Sequence, residues 1–507
     1  MAFVHLHNHT EYSLLDGLTH IKDMVRRAAE LDMPAVAVTD HGVMSGMVEL
    51  SDACDAVEKE TGKRVKPIFG CEVYFTPDES LRKDVKPKLY HLLLLAKNNE
   101  GYHNLLKLVS ESHVDNFYYK PRTTFSMLQK YGHGIIGSSA CIAGVIPKLL
   151  DERRFDDAVE WARKFASCFD EGDFYIELQN QGIRTDGGLT QTELNHQLTE
   201  VARAAGLKTI ATNDFHYLLK EDAEAQDIML CIGTGSTVNQ TNRMKFENDQ
   251  FYMKTEEEMR EAMKDFPEAC DNTVEVAAKC DVTLEREPIL PKFPLPEGET
   301  EESWFRKRVQ EGLEKRYGTP VPEREQKQAD YEMGIIIQQG FPAYFLIVQE
   351  YIEWARSQGI GVGPGRGSAA GAIVAYAMGI TIDKALDTNP DLKKAYDTEE
   401  DVKRIIDAAK SIEGHVRGEG VHACATIICR DPMSDHVPMK RDTKGGGIIT
   451  QYDGHYTPDL GLLKMDFLGL RTLDVLSIAC RNIEERTGVK IVPEEIPTDD
   501  ELSLIHI

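Results

Sequence analysis

Six short apolar runs punctuate the first 281 residues: "AVAVTDHG", "VKPIFGCEVYF", "YHLLLLAK", "GIIGSSAC", "FYIELQN" and "KTIATNDFHY". Between several of them lie stretches such as "IKDMVRRAAELD" and "LNHQLTEVARAAG", whose apolar residues recur at helical spacing. A strand cannot pair in parallel with the next strand without a long crossover, and a helix is the usual crossover. Strand and helix in alternation therefore predict an α/β fold with a parallel sheet, and this many units predict a βα barrel. The proline-rich "EREPILPKFPLPEGET" has no periodicity and reads as a linker. Beyond it, "EESWFRKRVQEGLEKRYG" and "GFPAYFLIVQEYIEWARSQG" read as helices, followed by a glycine-rich run and an acidic helical piece, "TEEDVKRIIDAAKSIEG". The last readable elements are "ACATIICR", "GGGIITQYD" and "LGLLKMDFLGLRTL".

At 507 residues the chain is expected to form two or three domains. No apolar run is long enough for a membrane span, and no basic segment with an apolar core opens the chain, so neither a membrane nor a secretory signal is expected. Ten cysteines without a Cys-x-x-Cys pair suit reduced thiols in the cytoplasm. The net charge of −26 excludes a uniformly basic nucleic-acid binder, but it leaves room for a local basic groove or a metal-dependent grip on phosphate.

The chain opens "MAFVHLHNHTEYSLLDG". In an extended strand, His5, His7 and His9 share one face, which suits a metal better than it suits packing. Working residues of a βα barrel sit where strands end. Reading the strand ends gives His7, His9, Asp16, His41, Glu72, His91, Cys141, Asp214 and His216, all of metal-ligand type. Mixed imidazole, carboxylate and a single thiolate favour zinc or manganese over calcium or magnesium, and nine donors suffice for more than one ion. A lone His41 or Cys141 would more often be a structural residue; His5 could merely line the site, and Glu177 is left open.

A second constellation is "GVGPGRGSAAGAIVAYA", a glycine turn running into a helix of small residues. Gly363, Gly365 and Gly367 permit close backbone approach, Ser368 stands at the helix N-terminus, and Arg366 adds a guanidinium, so the segment suits an anion such as phosphate. It is not a Walker loop, because no Lys-Ser/Thr follows the last glycine.

"HLHNHTEYSLLDG", "TDHG", "GCEVY", "YHLLLLA" and "TNDFHY" resemble the motifs of the polymerase-and-histidinol-phosphatase (PHP) domain. They are most similar to the form that opens the bacterial replicative DNA polymerase III alpha subunits. The resemblance implies a distorted βα barrel with two or three ions of zinc or manganese held by those nine residues. It also implies metal-dependent 3′-to-5′ exonuclease or phosphoesterase activity. "GFPAYFLIV" with "GPGRGSAAG", and later "GLLKMDFLGLRTL", resemble the palm of the same polymerases. That implies nucleotide binding by Gly363, Gly365, Arg366, Gly367, Ser368 and Lys464, with Asp466 as a catalytic carboxylate served by magnesium in the complete family member. Primer-template DNA, deoxynucleotides, a sliding clamp and a proofreading exonuclease subunit are the partners implied, in the cytoplasm. The division expected is a PHP barrel over 1–285, a first palm part over 286–381, a thumb remnant over 382–415, a second palm part over 416–470 and the start of fingers over 471–501. The whole is an α/β barrel followed by an incomplete α+β palm.

The sequence departs from the family in one decisive place. The polymerases carry an Asp-x-Asp on a palm strand between the glycine loop and the later Asp, and none occurs here between Thr381 and Asp466. Asp383 and Asp387 are four apart with helical spacing, so a block of palm and thumb is expected to be missing at the Thr381–Ile382 join. "GVHACATIICRDP" also places Cys424 and Ala425 where the family has a His-Ala-Gly pattern. The final "LSLIHI" breaks the helical pattern before it, so genuine sequence is expected to end near Glu501. Two rival readings are a free-standing PHP phosphoesterase, which would not need the palm-like segments, and a non-catalytic docking platform, which would not need intact ligands.

Overall fold

In the computed structural model the described residues are 2–358 and 415–488, less 288, 290, 339, 341, 417, 443–445, 468–477, 479, 482 and 487. The glycine loop, Asp383, Asp387, the Thr381–Ile382 join and "LSLIHI" lie outside them. The chain divides into two compact units. Of the described residues, the first comprises those of 2–287, 415–421 and 432–460, and the second those of 289–358, 422–431 and 461–488. The expected second palm part is thus shared between them.

In the first unit the elements run α1 (Ile21–Glu30), β1 (Ala35–Val38), α2 (Met47–Thr61), β2 (Lys66–Phe75), β3 (Tyr90–Ala96), α3 (Asn99–Val114), β4 (Arg122–Thr123), α4 (Phe125–Tyr131) and β5 (Ile135–Ser138). Then follow α5 (Val145–Asp151), α6 (Phe155–Ala166), β6 (Phe174–Gln179), α7 (Gln191–Ala205), β7 (Lys208–Thr212), α8 (Ala223–Thr234), α9 (Glu256–Ala262) and α10 (Pro267–Lys279). All six apolar runs form strands, in the sheet order β1-β2-β3-β5-β6-β7, with β4 on β2. The pairing corrects the all-parallel expectation: β3 runs antiparallel to both β2 and β5. No helix intervenes between β2 and β3, so the chain returns alongside β2 in the opposite sense.

The opening histidine segment fills the place between the two edge strands. Ala37 of β1 donates its N–H to the His5 carbonyl, and His9 N–H donates to the carbonyl of Phe215 just after β7, at 3.1 and 2.9 Å. Asn8, fully buried, donates its amide to the carbonyls of His5 and Ala37. Edge groups that would cost free energy if buried unpaired are satisfied in this way. The sheet is a curled half-barrel, and its inner face is packed with Val4, Leu6, Ile68, Leu95, Ile136, Tyr175 and Ile210.

The stretches of 415–421 and 432–460 pack within this same unit, largely on α3. His103 donates to the Asp435 carbonyl, Lys107 pairs with the Asp435 carboxylate, and the Met439 N–H donates to Ser110. The hydroxyls of Tyr102 and Tyr452 share a hydrogen bond. This part carries an antiparallel pair, β9 (Met439–Arg441) with β10 (Ile448–Thr450).

In the second unit α11 (Glu301–Tyr317), α12 (Glu323–Gln338) and α13 (Pro342–Ser357) gather around Phe305, Met333 and Leu346. β8 (Ala425–Ile428) pairs antiparallel with β11 (Leu463–Asp466), and Leu463 and Met465 pack on Ile347 of α13. Among the described residues no helix is long and apolar enough to cross a membrane.

α3 meets the β5 approach with no side chain between. A Cβ on Gly101 would stand 1.6 Å from the Gly134 carbonyl oxygen, a backbone atom that cannot rotate away. Gly101→Ala should therefore destabilise the barrel by about 1–3 kcal/mol, the usual cost of overpacking. A lowered urea midpoint of the purified chain would register it, and an unchanged midpoint would show that the two segments separate freely.

Candidate metal centre

Glu72 sits in the middle of β2, 1% exposed, with donors around it on every side. Its Oε2 lies 2.6 Å from His41 Nδ1 and its Oε1 2.8 Å from His91 Nδ1 and 3.1 Å from His7 Nε2. The Cys141 sulfur is 3.9 Å from Oε1 and 3.6 Å from His91 Nδ1. Asp214 Oδ1 stands 3.1 Å from His9 Nε2 and 3.4 Å from His7 Nε2. Asp16 Oδ2 is 3.0 Å from His41 Nε2 and 3.8 Å from His216 Nε2. All nine expected donors thus form one connected cluster. Within it, His7 with His9 and Asp214, His9 with His41 and His216, and His41 with Glu72 and His91 each bring three donor atoms within 4.8 Å of one another.

Strand ends supply most of these groups: His41 shortly after β1, Cys141 after β5, Asp214 and His216 after β7, and His91 at the start of β3. Glu72 departs from that expectation, since β2 runs on to Phe75 because Tyr90 of antiparallel β3 still pairs with it there. Asp214 adopts φ 48°, a left-handed conformation that Asp tolerates better than most residues. His5 takes no part in the cluster: its Nε2 donates to the Lys254 carbonyl and its ring packs between Phe3 and Phe215. The segment that carries it is not a regular strand, so its histidines do not share one face.

The hydrogen-bond network assigns the tautomers. The Ser13 hydroxyl donates its one proton to Asp40, at 2.7 Å, so His9 Nδ1, 3.0 Å from Ser13 Oγ, must donate. The Glu177 carboxylate accepts from His7 Nδ1 at 2.6 Å, and the Asp214 carbonyl accepts from His216 Nδ1 at 2.9 Å. In His9 and His216 the Nε2 lone pair is left to face the cluster, and in His7 it does so once the second proton leaves, the arrangement that metal-binding histidines favour. The Nε2 atoms of His7 and His9 and one oxygen each of Asp16 and Asp214 are buried without a hydrogen bond. Buried polar atoms rarely stay unpaired, so this donor set fits divalent ions. Asp40 and Ser13 were missed by the sequence reading, although Asp40 stands in the quoted "TDH". Glu177, left open there, is held by Ser138, Thr212 and Gln179. A polar residue inside an apolar strand was the available signal.

Burial should raise the Glu72 carboxyl, but His91, His41 and His7 outweigh it and hold the group well below the ordinary carboxylate range. Burial opposes the charge on His7, yet Asp214, Glu177 and Glu72 raise it well above the usual imidazole value. His41 is carried to about 10 against its burial by Glu72 and Asp16. Burial and then the Glu72 and Asp214 charges push the Cys141 thiol well above its usual value. In the metal-free cluster these charges and the burial favour the protonated forms of His7, His41 and Cys141.

In the second unit, Lys464 and Asp466 lie two apart on β11, hence on one face, opposite Ile427 and Ala425 of β8. Asp466 is exposed, with His422 and Cys424 nearby. The His422 Nδ1 accepts the Ala425 N–H at 2.9 Å and so ties down the β8 turn.

Metal uptake has to expel the spare protons. Neighbouring carboxylates favour those protons on the imidazoles and burial favours the one on the thiol, so binding should release about two to three protons per chain and weaken as pH falls. Calorimetry of zinc or manganese binding at pH 7.5, in buffers of differing ionisation enthalpy, measures that number. Elemental analysis after gel filtration should find two or three ions per chain. Proton-neutral binding would mean that the acidic neighbours do not charge the imidazoles as stated.

Two families match the chain. The PHP domain matches residues 5–181, and the bacterial DNA polymerase III alpha NTPase domain matches residues 303–383 and 380–469, two pieces that meet at the Thr381–Ile382 join. A DNA polymerase III subunit alpha of Borreliella burgdorferi is 35% identical over 595 aligned residues, covering 97% of this chain and 51% of that protein. The subunit of Treponema pallidum is 33% identical over 586, covering 97% and 49%, and that of Thermus aquaticus 32% over 664, covering 99% and 53%. The chain spans about half the length of these curated relatives. Each alignment also runs longer than the 507 residues, so each passes over stretches that this chain lacks.

Proposed function

We propose, on the ground that this chain belongs to the family of bacterial DNA polymerase III alpha subunits, that its barrel is a metal-dependent phosphoesterase of DNA ends. The observation that supports it most is the set of buried imidazole nitrogens and carboxylate oxygens that face one another without hydrogen bonds. His7, His9 and Asp214 would hold one ion, His41, Glu72 and His91 a second, and His216 with Asp16 a third, with Cys141 beside the second. The single thiolate and many imidazoles favour zinc or manganese. Such ions activate water and stabilise charge that develops on a phosphoryl group.

The chain's own side chains do the rest. Glu177 and Ser13 fix the ring planes of His7 and His9, so the lone pairs need no reorientation when a substrate arrives. His7, His9 and Glu72 are buried, whereas His41, His91 and Asp16 keep part of their surface in solvent. A phosphate would enter on that side. The substrates we assign are a 3′ DNA end or a phosphomonoester, in the cytoplasm. DNA primer-template, deoxynucleotides, the clamp and a proofreading subunit belong to the proposal for the complete polymerase. A free-standing phosphoesterase would leave the match over 303–469 without purpose, and a mere platform would not need the aligned tautomers.

His9→Ala and Asp214→Ala should each lower hydrolysis of a labelled single strand and of p-nitrophenyl phosphate at least about a hundredfold. Full activity in both variants would assign the hydrolysis to a contaminant.

The chain as written should not extend a primer. Magnesium ions beside a triphosphate and a primer hydroxyl need several carboxylates, and Asp466 supplies one while the Asp-x-Asp is absent. Lys464 and the glycine loop can still attract a nucleotide. Primer extension with all four deoxynucleotides should fail, and should appear when the palm block is restored from a relative. Template-dependent extension by the 507-residue chain would overturn the assignment of the catalytic carboxylates.

A further inference from the structure

One side of the centre leads outward along aromatic rings and lysines that the hydrolytic site does not use. Tyr74, next but one to Glu72 on β2, lies 6.2 Å from the His41 ring in a stacked arrangement and 5.5 Å edge-on from that of His91. The Lys120 ammonium sits over the outer part of this Tyr74, 5.0 Å from the ring centroid. Gly42, directly after His41, brings Pro121 and Tyr74 so close that a Cβ would meet them at 2.9 and 3.1 Å. The 116–122 loop is therefore seated against the solvent-facing edge of the centre.

That loop carries bare rings. Phe117 is 42% and Tyr119 64% exposed, and Tyr119 is held at φ 63° with its ring edge-on to Tyr118. A second loop, 78–88, is fastened to the first by Arg122, whose residue is buried to 1%. The guanidinium donates to the carbonyls of Asn116, Leu81 and Arg82 at 2.8–2.9 Å, so three backbone acceptors from two loops share one cation. The fastened loop presents Lys83 and Lys86 to solvent. Arg82 is neutralised by Asp84, but Lys83, Lys86 and Lys120 have no carboxylate within ion-pair distance among the described residues. On a chain of net charge −26, the two loops that carry these lysines and the exposed rings hold six positive side chains against Asp78, Glu79 and Asp84, a local exception.

We infer that these two loops form a binding path for single-stranded DNA, which delivers a strand end to the metal centre. This deepens the phosphoesterase reading and rests on it for the direction of travel. Lysines spaced along a surface take the phosphates, and exposed rings take unstacked bases of any sequence. An acidic peptide would be served by the lysines alone and would leave Phe117 and Tyr119 without a role. A duplex would leave them equally idle, since its bases are stacked on one another. The inner ring, Tyr74, lies between the path and the ligands His41 and His91, so a strand following the loops arrives at the side of the cluster that solvent reaches.

The test measures binding by the whole 507-residue chain, stripped of metal with EDTA, using fluorescence anisotropy of a labelled twelve-residue oligothymidine. Because no catalysis is involved, an inactive metal centre would leave this measurement intact, and the two readings fail separately. The Lys83→Ala, Lys86→Ala, Lys120→Ala triple variant should bind at least about tenfold more weakly at low salt. Its logarithmic salt slope should fall by about 2, the loss of three phosphate contacts on a single strand. Tyr119→Ala should weaken oligothymidine at least about fivefold while changing an abasic strand of equal charge less than twofold. An oligomer carrying 5-iodouracil should photocrosslink to Phe117 or Tyr119. As a control, Lys22→Ala, Lys59→Ala and Lys63→Ala on the α1–α2 face should change binding less than twofold. Equal effects of the two triple variants would overturn the proposal. So would crosslinks confined to other segments, or displacement by polyglutamate as effective as that by the abasic strand.

Discussion

An ionised carboxylate taken out of water costs several kcal/mol unless hydrogen bonds and opposite charge offset it. Glu72 is such a group, and the first unit is arranged around it. His41 is drawn in from the end of β1, His91 from antiparallel β3 and His7 from the opening segment. Three pieces of chain distant in sequence are thereby fixed at one point. The imidazoles in turn carry protons that their own burial would otherwise remove, because the carboxylates stand beside them. Neither set is stable in the interior without the other. The cluster is coherent only as a mutual arrangement of charges, and divalent ions can replace its protons with little movement of the side chains.

That dependence explains why the outer shell is so fully bonded. Glu177 receives four hydrogen bonds, from His7, Ser138, Thr212 and Gln179, and Asp40 receives three, from Thr10 twice and from Ser13. A half-satisfied polar network in a barrel would be worse than an apolar one. Here adjacent strands supply the neighbours: Ser138 on β5, Glu177 on β6 and Thr212 on β7 lie on three successive strands, each two residues off the paired position, so that they share one face.

Sequence showed the six barrel strands and the nine donors because both leave local traces: apolar runs bounded by turns, and ligand-type residues at their ends. It did not show that β3 reverses, since strand direction is decided by what joins the strands and not by the strands themselves. His5 was ambiguous for a related reason. Period-two spacing implies a common face only in a regular strand, and residues 5–9 follow both the β1 edge and Phe215 without forming one. Glu177 acts on His7 from another strand, and Asp40 acts through Thr10 and Ser13, so their partners are set by the fold and not by adjacent residues. The glycine loop lies outside the described residues, and its reading still rests on residue types alone.

The average charge was the most misleading quantity in the sequence. Charges at physiological ionic strength are felt over about 8 Å, so a strand end on one loop is largely indifferent to carboxylates across the molecule. What matters is the immediate ratio, and across the 78–88 and 116–122 loops six positive side chains stand against Asp78, Glu79 and Asp84. A mean conceals a patch whenever the opposing charges lie farther from it than the screening length. Among the chain's positive residues the informative question is which of them lack a partner, and only the folded arrangement of Arg82 on Asp84 and Arg122 on backbone carbonyls separates the paired from the free.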